Sequence, residues 1–441
     1  MRKLVALAAL LVGMPVAHAA EVKGDVSMNA EYRLRYLFEQ ARTGDKDADT
    51  NENNFAQRMK FDLNFKASEK FSAFASFIHN TDFGSVAAGN NDQIPDTISE
   101  TGNVNNTENV LLVNQAYAVW MMNDAWTFKV GRGGFTMADG SVMSLNDWQS
   151  TPYAFHGGLL NWEKENFRAS FYGVKVELTG AGTTGNDDPE TNFFGVSFDW
   201  KALPEFLKMA NIGVSKINGD RTSAVARRDE LRYHLVLAGD TANVDYKLNY
   251  AAHTGETEAV AAAAIDKKGS MYALEVGYSM PEMMKSRFYV GYHVDSGGNA
   301  ANANQERYDS FYYEKHATSG MMDVVAWGNL TFIKAGYTLS PMDQVDVGLH
   351  YWKFSSTESD DNNVANINGS GFTFNRASNG GSTSDDVGQE IDLSVTKKYD
   401  GGFAISSYIG AFMPGAYLKD VSATDKDDTY MQVFVEGKMT F

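Results

Sequence analysis

The sequence has no cysteine, eight prolines and, beyond its first twenty residues, no long apolar run. Without cysteine there is no disulfide framework and no thiolate metal site. Without a second apolar run, and with a mean hydropathy of −0.34, the chain is not a bundle of membrane helices. Positive charge is in short supply, 38 Lys and Arg against 56 Asp and Glu, a formal charge of −18. So acidic a surface argues against nucleic acid as a partner. Catalytic signatures are missing too: no G-x-S-x-G elbow, no H-E-x-x-H, no Walker loop and no dinucleotide fingerprint. No organic cofactor and no metal are implied. Aromatics, at 12%, and glycine, at 40 residues, are plentiful, unlike a soluble α/β protein.

The opening run "MRKLVALAALLVGMPVAHAA" reads as a secretory signal over residues 1–19. Arg2 and Lys3 form a charged start, Leu4 to Val16 a short apolar stretch, and Ala17-His18-Ala19 a cleavage site. The remainder, 20–441, is expected to be one domain. An exported bacterial chain of this kind is periplasmic, secreted or an outer-membrane barrel.

In "SMNAEYRLRYLF", Met28, Ala30, Tyr32, Leu34, Tyr36 and Phe38 alternate with Ser27, Asn29, Glu31, Arg33 and Arg35. A period of two is a β-strand with one apolar and one polar face. About eighteen such segments recur, clearest from Phe55, Asn243, Ser286, Asp343 and Thr429. Those near Phe71–His79 and Val110–Met121 are apolar on both faces and leave sixteen as the alternative count. Connections alternate between short ones, such as "SEK" at 68–70 and "SPMD" at 340–343, and long Gly-, Asn- and Asp-rich ones, such as 136–153 and 296–325. Short turns at one end and long loops at the other fit an antiparallel transmembrane β-barrel with periplasmic turns and extracellular loops. A Greek-key sandwich does not sort its connections this way. The apolar face then meets lipid, where a charge near the midplane costs roughly 2–4 kcal/mol, and the polar face lines the lumen. The final strand ends on Phe441, which resembles the C-terminal signal read by the barrel assembly machinery.

Four histidines, His234, His253, His293 and His350, fall on inward positions of different strands, as lumenal polar residues. The stretch from Lys129 to Glu165, "KVGRGGFTMADGSVMSLNDWQSTPYAFHGGLLNWEKE", is the most distinctive. Its Gly131-Arg132 strand end, its Asp147-Trp148 pair and its aromatic strand start near Phe155 resemble the alginate-export-type family of outer-membrane porins. The resemblance implies an eighteen-stranded barrel and a lumen narrowed by the third long loop, 136–153. Arg132, Asp147 and Trp148 are its first candidates for lumenal contacts.

Charge placement adds further pore-lining candidates. Arg33 and Arg35 on the first strand and Arg58 and Lys60 on the second make a basic patch. Glu436 on the last strand, with Glu390 and Asp392 two strands earlier, makes an acidic one. Across an open lumen these would set up a transverse field; along one wall they would neutralise each other. Asp45, Asp47, Asp49 and Asn51, "SDDNN" at 359–363 and "DKDD" at 425–428 read as solvated acidic loops, since the turn glycine and terminal glutamate of an EF-hand are missing.

The expected function is passive diffusion of small polar or charged solutes through an outer-membrane porin, with membrane lipid and lipopolysaccharide as its surroundings. The alternatives are an anionic-polysaccharide export channel, a plugged structural barrel and an enzyme barrel using one of the four histidines. A siderophore-type receptor is not expected, since no plug precedes the first strand.

Overall fold

The computed structural model describes residues 24–41, 52–83, 111–177, 190–219, 227–258, 264–298, 306–358, 384–421 and 427–441. The expected leader and the acidic loop segments at 45–51 and 359–363 lie outside these residues; of "DKDD" only Asp427 and Asp428 lie within them. The described chain forms one antiparallel sheet. Its strands are β1 (Asp25–Gln40), β2 (Glu52–Lys66), β3 (Phe71–Phe83), β4 (Leu111–Met121), β5 (Trp126–Gly133), β6 (Phe155–Lys164), β7 (Phe167–Glu177), β8 (Glu190–Trp200) and β9 (Leu207–Gly219). They continue with β10 (Arg227–Thr241), β11 (Val244–Glu258), β12 (Ala264–Met280), β13 (Ser286–Asp295), β14 (Leu330–Met342), β15 (Val345–Ser356), β16 (Asp386–Tyr399), β17 (Phe403–Pro414) and β18 (Tyr430–Thr440). Each strand pairs with the next, and β1 pairs with β18, so the sheet closes on itself. Closure removes the free edges that an open sheet would expose. The strand count is therefore eighteen, and the two segments apolar on both faces are real strands.

Eight short turns lie at one end, including 201–206 and 281–285, which the sequence pattern did not single out. Nine connections lie at the other. β11 and β12 stay paired out to Glu258 and Ala264, so the connection between them is 259–263.

The opening strand settles which face is which. Arg33 and Arg35 are 3% exposed, whereas Leu34 between them is 39% exposed. The apolar face of β1 points outward. The same holds for Phe55 and Met59 on β2, Leu274 and Val276 on β12, and Ile391 and Leu393 on β16. At the short-turn end the outer surface carries paired aromatics. Phe71 stacks on Trp120 at 5.8 Å and Trp126 on Trp162 at 6.0 Å. Such rings suit the boundary between lipid and water.

The interior departs from a uniformly polar lumen. Toward the long-loop end, inward positions carry Leu37, Val236, Met271, Phe332, Phe354, Phe412 and Phe434, all at most 3% exposed. They are covered from inside the barrel by the segments that follow β5 and β13.

Candidate pore constriction

Among the described residues, loop 134–154, between β5 and β6, and loop 306–329, before β14, fold into the barrel. Loop 134–154 buries Phe135, Met137 and Met143 against inward-facing Phe155, Tyr172, Val174, Phe193 and Ile217. Loop 306–329 buries Tyr308, Tyr313, Met322 and Trp327 against Phe332, Trp352, Phe354 and Phe412. The loops also bond to each other. Ser144 N donates to Tyr312 O at 2.7 Å, Glu314 N to Gly140 O at 2.8 Å, and Ser144 Oγ to Glu314 Oε2 at 2.6 Å. Met143 and Tyr312 form a parallel bridge, so the two segments act as one crossbar.

The basic patch holds one end of this crossbar. Arg33 donates to the carbonyls of Asp147 and Gln149, both at 2.8 Å. Arg35 donates to the carbonyl of Trp148 at 2.5 Å and to Glu436 Oε2 at 2.7 Å. Arg58 donates to the same two loop carbonyls and binds Glu31 at 2.5 Å and Asp147 at 3.1 Å. Guanidinium suits this role, because its fork of donors matches clustered oxygens and it keeps its charge when buried. The Arg35 guanidinium also lies 3.9 Å from the Trp148 ring centroid, and the other face of that ring stacks on His316 of loop 306–329 at 3.4 Å. Asn80 and Asn114 add side-chain bonds to Thr151 Oγ1 and Pro152 O.

The far wall holds the other end. Arg228 and Arg232 on β10 share Glu230 with Asp309, whose carboxylate lies 2.6 Å from Arg228. Asp309 N donates to His253 Nε2 at 3.0 Å. Burial alone would raise the Asp309 carboxyl, but Arg228 and Arg232 outweigh it and hold the group at about 2, below its ordinary 3.8. The folded-state value is depressed, so the stabilisation is complete above the ordinary value and fades as pH falls toward 2. Amide exchange of residues 306–329, corrected for intrinsic rate, should show protection at pH 5 that weakens between pH 4 and 2. Asp309→Asn should remove most of that pH step.

Nine of the ten sequence candidates sit inside the barrel. Arg33, Arg35, Arg58, Asp147, Trp148 and Glu436 come together at one docking site. Lys60 faces inward beside Asp62 at 3.4 Å. Glu390 and Asp392, 0% and 1% exposed, lie under loop 306–329, where Met322 N donates to Glu390 Oε1 at 3.0 Å. The charges therefore lie at loop–wall contacts, and the basic patch is neutralised along its own wall rather than set across an open lumen. The tenth, Arg132, is a correction. It shares parity with outward Val130, 46% exposed, and its register partners are Ala116 and His156. Its guanidinium donates to Asn114 O at 3.0 Å and lies 2.9 Å from His156 Nε2. It faces outward at the long-loop rim.

The four histidines point inward as expected, and each has its own partners. His234 contacts Asn211, His253 receives the Asp309 amide, His293 lies 3.0 Å from Asp295, and His350 sits between Tyr289 and Ser394. Loop 306–329 is the part of the site that sequence reasoning missed. Its signal was composition: "YDSFYYEKH" and "MMDVVAW" are far more aromatic and apolar than the other long connections.

A family model described as "Alginate export" matches residues 25–433. Among solved structures, the chain is similar to the outer membrane protein OpdK of Pseudomonas aeruginosa, with a TM-score of 0.60 and 12% identity over 95% of this chain and 98% of that one. It is similar to OccK5 (OpdH) of the same organism at a TM-score of 0.58 and 12% identity, over 95% and 98%. A structure of OpdK with vanillate gives 0.58 and 12%, over 94% and 98%. At such identities the likeness is one of fold. No curated protein matches the chain.

Proposed function

The chain belongs to the alginate export family, and from that premise we propose that it is a passive porin for small polar or charged solutes. Its closed eighteen-stranded barrel, with an apolar belt outside, is an integral bacterial outer-membrane protein. The observation that carries the reading is the crossbar. Two hydrogen-bonded loops span the lumen and leave cavities of about 260 and 310 Å³, lined by both charged and aromatic side chains. Spaces of that size suit small molecules. Export of an anionic polysaccharide calls for a continuous basic channel, and here Arg33, Arg35 and Arg58 are occupied by loop carbonyls and carboxylates. One similar structure contains vanillate, a small aromatic carboxylate, a solute class compatible with this reading. Each inward histidine is engaged by its own wall or loop partner, which supports transport rather than catalysis.

Membrane lipid and lipopolysaccharide around the belt, and the assembly machinery at Phe441, belong to the same proposal as partners. In this reading Arg33, Arg35 and Arg58 with Glu436 anchor the constriction, Asp147 and Trp148 form it, Lys60 lines the lumen, and Glu390 and Asp392 seat the second loop. Arg132 is left out. The test is single-channel recording of the refolded chain in a planar bilayer under a salt gradient. Small, stable open steps with weak ion selectivity are expected, because the buried charges are paired. A fully blocked barrel at every voltage would favour a structural role.

A further inference from the structure

The tip of loop 134–154 divides the lumen. On one side lies the cavity of about 260 Å³, lined by Phe135, Asn161, Arg168 and Asp199 among others. On the other lies the cavity of about 310 Å³, lined by Lys247, Glu275, His293, Trp327 and Lys334 among others. Asp139 is the one residue that lines both. Its carboxylate is ion-paired with Lys247 on β11, and both side chains are reachable from the lumen, 38% and 41% exposed.

The backbone presents Asp139 in an uncommon way. Ala138, Asp139 and Gly140 follow one another with φ of 50°, 53° and 85°. Successive left-handed residues other than glycine are disfavoured, and they concentrate where a segment clamps or switches. The tip is held by Ser141 Oγ to Ala138 O at 2.6 Å and Gly140 N to Met137 O at 3.0 Å. The wall explains why Lys247 takes this partner. Its cross-strand neighbour Glu275 already accepts from Arg287 at 2.8 Å and binds Lys334 at 2.5 Å. Asp139 supplies a carboxylate that the wall itself does not leave for Lys247.

We propose that the Asp139–Lys247 pair is a solute-operated latch, in which the carboxylate of an incoming organic anion replaces that of Asp139 on Lys247 and joins the two cavities. The inference rests on the porin reading and adds the solute's reactive group and the place where it binds. One carboxylate is exchanged for another, so the net charge at Lys247 is unchanged and no bond is made or broken covalently. The asymmetry of the pair favours an anion over a cation. Lys247 is fixed in the strand ladder and can hold a solute, whereas Asp139, with its side chain 38% exposed, need only turn that side chain to release it. His293 and Trp327 give the receiving cavity an aromatic wall, while Lys334, in the same lining, is paired with Glu275.

The test is single-channel recording of the full barrel in potassium chloride, with sodium benzoate as the probe and benzamide as its uncharged counterpart. Asp139→Asn removes the competing charge and keeps the tip, since asparagine tolerates positive φ. Lys247→Gln removes the anchor. Both variants should raise the chloride-salt conductance, because both open the latch. They should then diverge: Asp139→Asn strengthens benzoate block by about tenfold, as an internal competitor is lost, while Lys247→Gln abolishes it. Benzamide block should be the same in all three proteins. If both variants change benzoate block in the same direction, or Asp139→Asn leaves it unchanged, the latch is wrong while the porin reading stands. If none of the proteins conducts, both fall together.

Discussion

Replacing Arg58 with methionine should raise the open-channel conductance several-fold while the barrel keeps its fold. Arg58 is 1% exposed and gathers the first anchor of the crossbar. It bonds the carbonyls of Asp147 and Gln149 at 3.1 and 3.0 Å, the Asp147 carboxylate, and Glu31. Removing one partner of a buried ion pair costs on the order of 3–5 kcal/mol, mostly through the charge left behind. Glu31 keeps Lys438 at 3.0 Å, so the wall is not left with a bare carboxylate. The loss therefore falls on loop docking. The β1–β2 and β2–β3 ladders do not depend on this side chain. The check is paired: single-channel conductance for the pore and heat-modified gel mobility for the barrel. Unchanged conductance in a folded barrel would mean that Arg33 and Arg35 hold the loop alone.

Trp327→Ala should have the larger effect. The indole is 7% exposed, stacks on Tyr313 at 4.3 Å and 18°, and packs on His293 at 4.7 Å. Truncating a buried aromatic of this size costs about 3–5 kcal/mol. Loop 306–329 has few backbone bonds to the wall, so that loss is large against what holds it. Its release also removes Tyr312 and Glu314 from loop 134–154, so both segments should loosen. The expected result is a conductance above that of Arg58→Met and new protease cleavage within 306–329, with the barrel intact. Because the two loops support each other, the double variant should fall short of additivity. Strict additivity would mean that the crossbar is two independent loops.

The wall of this protein was legible in its sequence, and the contents of the lumen were not. Period-two alternation is a local property, so β1, β11 and β18 could be read residue by residue, with the lipid face identified from where the charges fall. Arg132 shows what happens when a motif displaces that rule. The Gly131-Arg132 strand end suggested a lumenal guanidinium, yet counting by twos from Val130 already placed it outside. The crossbar was only half legible. Loop 134–154 was expected inside, but its anchors lie 89 to 116 residues away in sequence, and nothing local announces such pairings. Loop 306–329 could have been found from the wall. Where Trp352 and Phe354 on β15, or Val236 on β10, put apolar side chains on the inward face, something apolar must cover them from within.

The docking seam also dictates an order of assembly. Arg35 and Glu436, bonded at 2.7 Å, stand 401 residues apart, on the first and last strands. Trp148 rests on both, stacked against Arg35 and 4.9 Å from Phe434. Its platform comes into being only when the final strand meets the first, the contact with the greatest separation along the chain and so a costly one to close. Arg33, Arg58, Asn80 and Asn114 hold the same loop from the first four strands, so sealing the wall completes a seat that those strands have already begun. Only the share of the seat given by Glu436 and Phe434 waits for the last strand, so that share of the narrowing is coupled to completion of the wall.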